Sequence, residues 1–238
     1  MKSAVERPLF SNQEGRCMNM QTRNRLFAYL AGAAFTVSAG ADDPGRVADA
    51  SCRVPESLLD EILDEVEGAD WKEEDRLVLL SVLAGDARSH VRMRVSDLLL
   101  TGSERSFADV ESLLLSLAED ADSEVRGAVS RAVADSLSNT DGLTRTRVAA
   151  EWALSDSWAV RDTLARALAR NFQCLGAASV AAHLAEDPNP AVRETMVETA
   201  VSRFKENPQQ YSEILTQLAA DSNRRVRRAA RRAEIAQS

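Results

Sequence analysis

From residue 56 onward, apolar and polar residues alternate at three- and four-residue intervals, and the pattern is itself repeated along the chain. The pair Val-Arg stands at 91–92, 125–126, 160–161, 192–193 and 226–227, at spacings of 34, 35, 32 and 34. A self-similar unit of this length marks a repeat array in which each unit buries its apolar face only against its neighbours. After the Val, apolar residues return four, seven and eight positions on: Val95, Leu98 and Leu99; Val129, Ala132 and Val133; Leu164, Ala167 and Leu168. That spacing lines one side of an α-helix. Three positions before the Val the column reads Arg88, Asp122, Ser157, Asn189 and Asn223. All but Arg88 have a side chain that accepts from the free N–H groups of a helix start, so a helix begins at this column in every copy. Pro190 follows Asn189, where a missing N–H costs nothing.

Five residues before the Val stand Asp86, Asp120, Asp187 and Asp221; in the third copy Asp156 is one residue closer, as if a turn residue had been deleted. Three residues before each Asp comes Leu83, Leu117, Ala153, Leu184 or Leu218. These close a first helix in each unit, expected over 72–84, 106–118, 142–154, 175–185 and 209–220, with turns rich in Gly, Pro, Asp and Ser leading to the second helix. An opening helix is expected over 56–66, after Pro55, with Leu58, Leu59, Ile62, Leu63 and Val66 on one side. The fold class that follows is all-α: a right-handed α-solenoid of about five helix pairs with an N-terminal capping helix, spanning 55–238. Composition agrees, since 45% of residues are hydrophobic, only 5% aromatic and 6 are proline, which favours straight-chain helix formers over strand formers.

Ahead of the repeats the pattern changes. From Met20 the chain reads MQTRNR, then the apolar run LFAYLAGAAFTV, then SAGA and DDPG. An Arg-bearing head, a short apolar run and small residues at 39–41 suit a signal peptide cut before Asp42. The run falls short of the roughly 20 residues of a membrane-spanning helix. The expected organisation is a polar head with a signal peptide over 20–41, a linker over 42–54 and the array over 55–238, working in the periplasm or outside the cell if the signal is used and in the cytoplasm otherwise. No integral membrane segment is expected in the mature chain.

Asp followed six residues later by the Arg of Val-Arg resembles the signature of HEAT repeats, at Asp86/Arg92, Asp120/Arg126, Asp187/Arg193 and Asp221/Arg227, covering 71–236. The resemblance implies that these Asp and Arg columns form a ladder between neighbouring repeats, a structural role. The third copy departs from it, because Asp156 and Arg161 are only five apart. Arrays of this kind serve many partners, so the resemblance speaks to fold and hardly to function.

Charge narrows the partners. The net charge is −8, and residues 42–220 hold 18 Lys/Arg against 33 Asp/Glu, which argues against a general nucleic-acid binder. The last repeat is the opposite: Arg224, Arg225, Arg227, Arg228, Arg231 and Arg232 face only Asp221 and Glu234. A basic tip on an acidic body suits a protein partner with an acidic surface. Two and six positions after each Val lies the expected exposed edge of the second helices, reading Met93, Gly127, Asp162, Glu194 and Arg228, then Asp97, Arg131, Arg166, Glu198 and Arg232. The candidate partner-binding residues are therefore Arg224, Arg228, Arg231 and Arg232 with Arg166, Glu194 and Glu198. Alternating signs there allow a second outcome, with Glu198 neutralised between Arg166 and Arg232, and Glu194 beside Arg228.

Catalytic chemistry finds no foothold. Cys17, Cys52 and Cys174 are too widely spaced for a metal site, His90 and His183 have no partner at ligand spacing, and no nucleophile elbow, phosphate loop or HExxH occurs. No metal, cofactor or catalytic residue is expected, and the expected function is a non-catalytic protein-binding scaffold. Two alternatives come from other repeat proteins. Trp152 and Trp158, followed by Arg161, resemble a stretch of HEAT-like alkylpurine DNA glycosylases, which implies a DNA-binding module; the repeat pattern also resembles bilin lyase subunits.

Overall fold

The computed structural model describes residues 56–68, 73–99, 107–138, 140–170 and 176–237. The polar head, the expected signal peptide over 20–41, the linker over 42–54 and all three cysteines lie outside the described residues. Among the described residues the regular structure is entirely α-helical, in eleven helices. No helix there is long and apolar enough to cross a membrane.

The chain divides into two compact units, 1–104 and 105–238. In the first, α1 (Glu56–Gly68) and α2 (Glu73–Leu83) both pack on α3 (Ser89–Leu98). Leu59, Ile62, Leu63 and Val66 of α1 are buried, as are Leu79, Leu80 and Leu83 of α2 and Val91, Val95 and Leu98 of α3.

The second unit holds four helix pairs: α4 (Phe107–Ala118) with α5 (Ser123–Ser138), α6 (Gly142–Ala153) with α7 (Trp158–Leu168), α8 (Ala177–Ala185) with α9 (Pro190–Arg203), and α10 (Pro208–Ala219) with α11 (Arg224–Gln237). The second helices pack in series, α5 on α7, α7 on α9 and α9 on α11; the first helices α6, α8 and α10 do the same. This is the architecture of an α-solenoid. Every second helix, α3 included, begins one residue after the column Arg88, Asp122, Ser157, Asn189, Asn223. Asp122, Asn189 and Asn223 accept from the N–H two residues on. Ser157 does not cap with its side chain, contrary to expectation. The stripe Val129, Ala132, Val133, Leu164, Ala167 and Leu168 is buried, with the closing column Leu117, Ala153, Leu184 and Leu218. Fully burying one such Leu or Val stabilises by about 1.5–3 kcal/mol, and it is the neighbouring repeat that covers much of this surface.

The Asp and Arg columns do two jobs. In its own repeat the Arg closes the turn, donating through Nη1 to the main-chain oxygens six and five residues back: Arg126 to Asp120 and Ala121, Arg193 to Asp187 and Pro188, Arg227 to Asp221 and Ser222. Toward the next repeat the same guanidinium grips the turn carboxylate bidentately. Arg161 Nε and Nη2 lie 2.5 and 3.0 Å from Asp187, and Arg193 Nε and Nη2 lie 2.7 and 3.0 Å from Asp221. These forks raise the pKa of both guanidiniums. The Arg193 fork, against the opposing cost of burial, holds the Asp221 carboxyl below its usual range.

The third turn has lost no residue. Arg161 Nη1 donates to the oxygens of Ser155 (2.6 Å) and Asp156 (3.1 Å), the same six- and five-residue reach as in the other copies. Ser155 therefore occupies the Asp column, and Asp156 is simply the next turn residue. The Ser155 hydroxyl still accepts from the Ser157 N–H at 3.3 Å, as the Asp carboxylates do from theirs, but it offers nothing anionic to the preceding repeat. Arg126, which should have reached a carboxylate here, makes no ion pair among the described residues. Its guanidinium instead lies over the Trp158 ring, 5.3 Å from the centroid, and its buried Nε has no acceptor.

Candidate functional site

Within residues 105–238, the exposed side of α5, α7 and α9 carries a groove of about 270 Å³. Its floor is made of small residues, among them Gly127, Ala169 and Thr199, and Arg166, Arg170 and Glu198 also line it. The hydroxyls turn their protons away from the opening. Ser130 donates to the Gly127 oxygen (2.7 Å), and Thr199 to the Ala165 oxygen of the neighbouring repeat (2.8 Å).

Beneath Arg166 lies a carboxylate that the column pattern had placed on the exposed edge. Asp162 is 1% exposed. Its Oδ2 accepts from Arg166 Nε at 2.9 Å, and its Oδ1 accepts from the buried Thr195 hydroxyl across the repeat boundary at 2.5 Å. A buried carboxylate needs such partners, because leaving it unpaired carries its full desolvation cost. The result is an arginine fixed at Nε whose Nη1 and Nη2 have no partner among the described residues. Arg170, in the turn two residues past the end of α7, is exposed and its guanidinium has no partner among the described residues.

Of the remaining candidates, Glu198 lies in the groove and bonds to neither Arg166 nor Arg232. Glu194 is held by Arg225 Nε at 3.1 Å, three residues before the Arg228 considered from sequence. On α11, Arg224, Arg228, Arg231 and Arg232 are all exposed while Val226, Ala230 and Ala233 pack inward. Arg231 Nε donates to the Ala219 oxygen at 3.1 Å, and none of the four makes an ion pair among the described residues. Arg170, Asp162 and Thr195 escaped the sequence-based candidate set. Only the positions of Arg170, four after Arg166, and of Asp162, four before it, hinted at them.

Trp152 is a core residue, 1% exposed and packed on Phe107 at 6.3 Å between ring centroids. Trp158 is 40% exposed and occupied by Arg126, so the two tryptophans do not form a shared stacking face.

Gly127 sits inside α5, where glycine costs roughly 0.5–1 kcal/mol relative to alanine. A Cβ built there meets nothing within 4 Å. Gly127→Ala is therefore expected to stabilise the protein by about that amount, read as a higher midpoint in thermal unfolding; a lower midpoint would show a contact that the open space does not.

Residues 146–234 match the family model of HEAT repeats. That matched stretch, from α6 to α11, is the HEAT-like part of the array. Among solved structures it is similar to a designed armadillo repeat protein in complex with the peptide (KR)4, at 17% identity over 87% of this chain and 99% of that one, with a TM-score of 0.39. It is also similar to an engineered protein from a structural genomics consortium, at 17% identity over 85% of this chain and 94% of that one, with a TM-score of 0.38. No curated protein matches the chain.

Proposed function

We propose that the chain is a non-catalytic protein-binding scaffold that holds a partner with an acidic surface along the exposed side of its second helices. The observation that carries this is the outer side of α11, where Arg224, Arg228, Arg231 and Arg232 stand in solvent without a carboxylate partner among the described residues. A solubilising cap needs polar groups, but mixed charge would serve, and four like charges on one helix repel one another. A partner's carboxylates would relieve that repulsion.

Affinity capture with residues 42–238 as bait, comparing the parent chain with R224Q/R228Q/R231Q/R232Q, tests it. Proteins held at low salt should be lost both from the variant and on raising the salt, because screening acts over about 8 Å at physiological ionic strength. Helical content should be unchanged, since the four side chains lie outside the core. Equal capture by both baits at all salt concentrations would reduce the cluster to a solubilising cap.

The working chain in this proposal is 42–238, exported after removal of 20–41. Amino-terminal sequencing of the natively expressed protein should give Asp42 first; a cytosolic chain beginning at Met1 would sink the export proposal while leaving the scaffold in place.

A further inference from the structure

We infer that the groove across α5, α7 and α9 is a recognition site for an acidic side chain, Asp or Glu, of an extended peptide segment of the partner, with Arg166 and Arg170 as the residues that bind its carboxylate. This rests on the scaffold proposal and gives that scaffold a defined site separate from the basic tip.

Three features converge on it. Arg166 is held in place from below. The buried Asp162 fixes its Nε, and Thr195 of the next repeat fixes Asp162, so the outer nitrogens keep one geometry without a partner of their own. A guanidinium held this way loses less freedom on forming a two-pronged bond with a carboxylate than a free side chain does. Arg170 adds a second unpaired guanidinium one turn away on the same lining. Asp162 already compensates Arg166, which leaves Arg170 and Glu198 as the uncompensated charges of the groove. They suit a segment that brings a carboxylate to the arginines and main-chain N–H groups to Glu198. Finally, the groove is open because residue 127 is glycine, and no atom of the described residues fills the vacated space. The fold gains nothing from that glycine, whereas an extended segment lying across α5 gains access to the floor.

The test is fluorescence anisotropy with a labelled peptide of alternating Glu and Gly, a matched peptide of alternating Gln and Gly, and inorganic phosphate as competitor, against the full chain. The Glu peptide should bind and the Gln peptide should bind at least tenfold more weakly, the usual scale for a charge-assisted hydrogen bond. R170Q and R166Q should each weaken the Glu peptide about tenfold. Because R166Q also strips Asp162 of its counter-charge and can destabilise the fold, R170Q and Gly127→Gln carry the decision. The glutamine at 127 projects into open groove and should abolish binding without lowering the melting temperature, while Gly127→Ala should bind like the parent. Binding that ignores R170Q and Gly127→Gln but falls with R228Q/R232Q overturns the groove site and leaves the scaffold on its basic tip. Absence of Glu-peptide binding, equal binding of the Gln peptide, or displacement by phosphate at the peptide's own concentration also overturns the assignment. Indifference to both groove and tip variants removes the charge basis of the scaffold as well.

Discussion

Replacing Arg193 by Ala is expected to destabilise the helix pairs of residues 105–238 by about 1–3 kcal/mol, the cost of leaving a shielded polar group without its partner. Arg193 joins two repeats through one planar group. Nη1 closes its own turn at the Asp187 oxygen (2.6 Å), while Nε and Nη2 hold Asp221 of the next turn. The side chains are 13% and 7% exposed, so water replaces little of what is lost. Asp221 would retain only the Asn223 N–H, at 2.6 Å. Arg193→Lys should recover part of the loss, because a single ammonium cannot reproduce the fork. The pH dependence has a definite sign. Asp221 is held below its usual range, against about 3.9 in an unfolded chain, so its contribution is complete above that value and fades as pH falls through the folded value. The gap between the melting curves of the parent and R193A should therefore narrow in acid to what the Arg193 bond to the Asp187 oxygen contributes. A constant gap between them down to the folded pKa would mean that Asp221 is not what Arg193 stabilises.

The helices were legible because each depends on side chains close in sequence. The cap column, the Val one turn inside and the apolar stripe each span fewer than about 10 residues, and a periodicity of 3.6 leaves them one arrangement. Misreadings arose where a contact crosses repeats. Residue type aligns Asp156 with the Asp column, whereas the main-chain oxygens that Arg161 holds place Ser155 there. Asp162 lies two after its Val, in a column whose other members include Glu194 and Arg228, and so read as an exposed edge residue. Its partner across the repeat boundary is Thr195, 33 residues away, which no local pattern announces. The basic tip was legible as composition, since it needs no partner inside the molecule. The groove was not, because it is built from the absence of a side chain at 127 and from hydroxyls that sequence cannot distinguish from ordinary helix-face residues.

The interrupted rung at Ser155 gives the second large effect. An aspartate there would occupy the position that Asp187 and Asp221 hold in their own turns, each gripped by the arginine of the preceding repeat at 2.5–3.0 Å. The arginine waiting for it is Arg126, which is 9% exposed, already fixed at the Asp120 oxygen and left with a buried Nε lacking an acceptor. Ser155→Asp is expected to raise stability by about 1–3 kcal/mol, since an unsatisfied buried donor gains an anionic partner without the chain having to order anything new. Ser155→Asn separates charge from turn geometry: it retains the acceptor for the Ser157 N–H at 155 but carries no charge, and should gain little. Arg126→Ala should cancel the gain of Ser155→Asp, giving a coupling energy in the double-mutant cycle of the same order. Trp158 supplies the cross-check. Its ring now shares the Arg126 guanidinium in a cation–π contact worth about 0.5–2 kcal/mol, so Trp158→Ala should cost more in the parent than in Ser155→Asp, where the carboxylate competes for the same cation. If Ser155→Asp proves no more stable than Ser155→Asn, Trp158 already satisfies Arg126 and the rung is replaced, not missing.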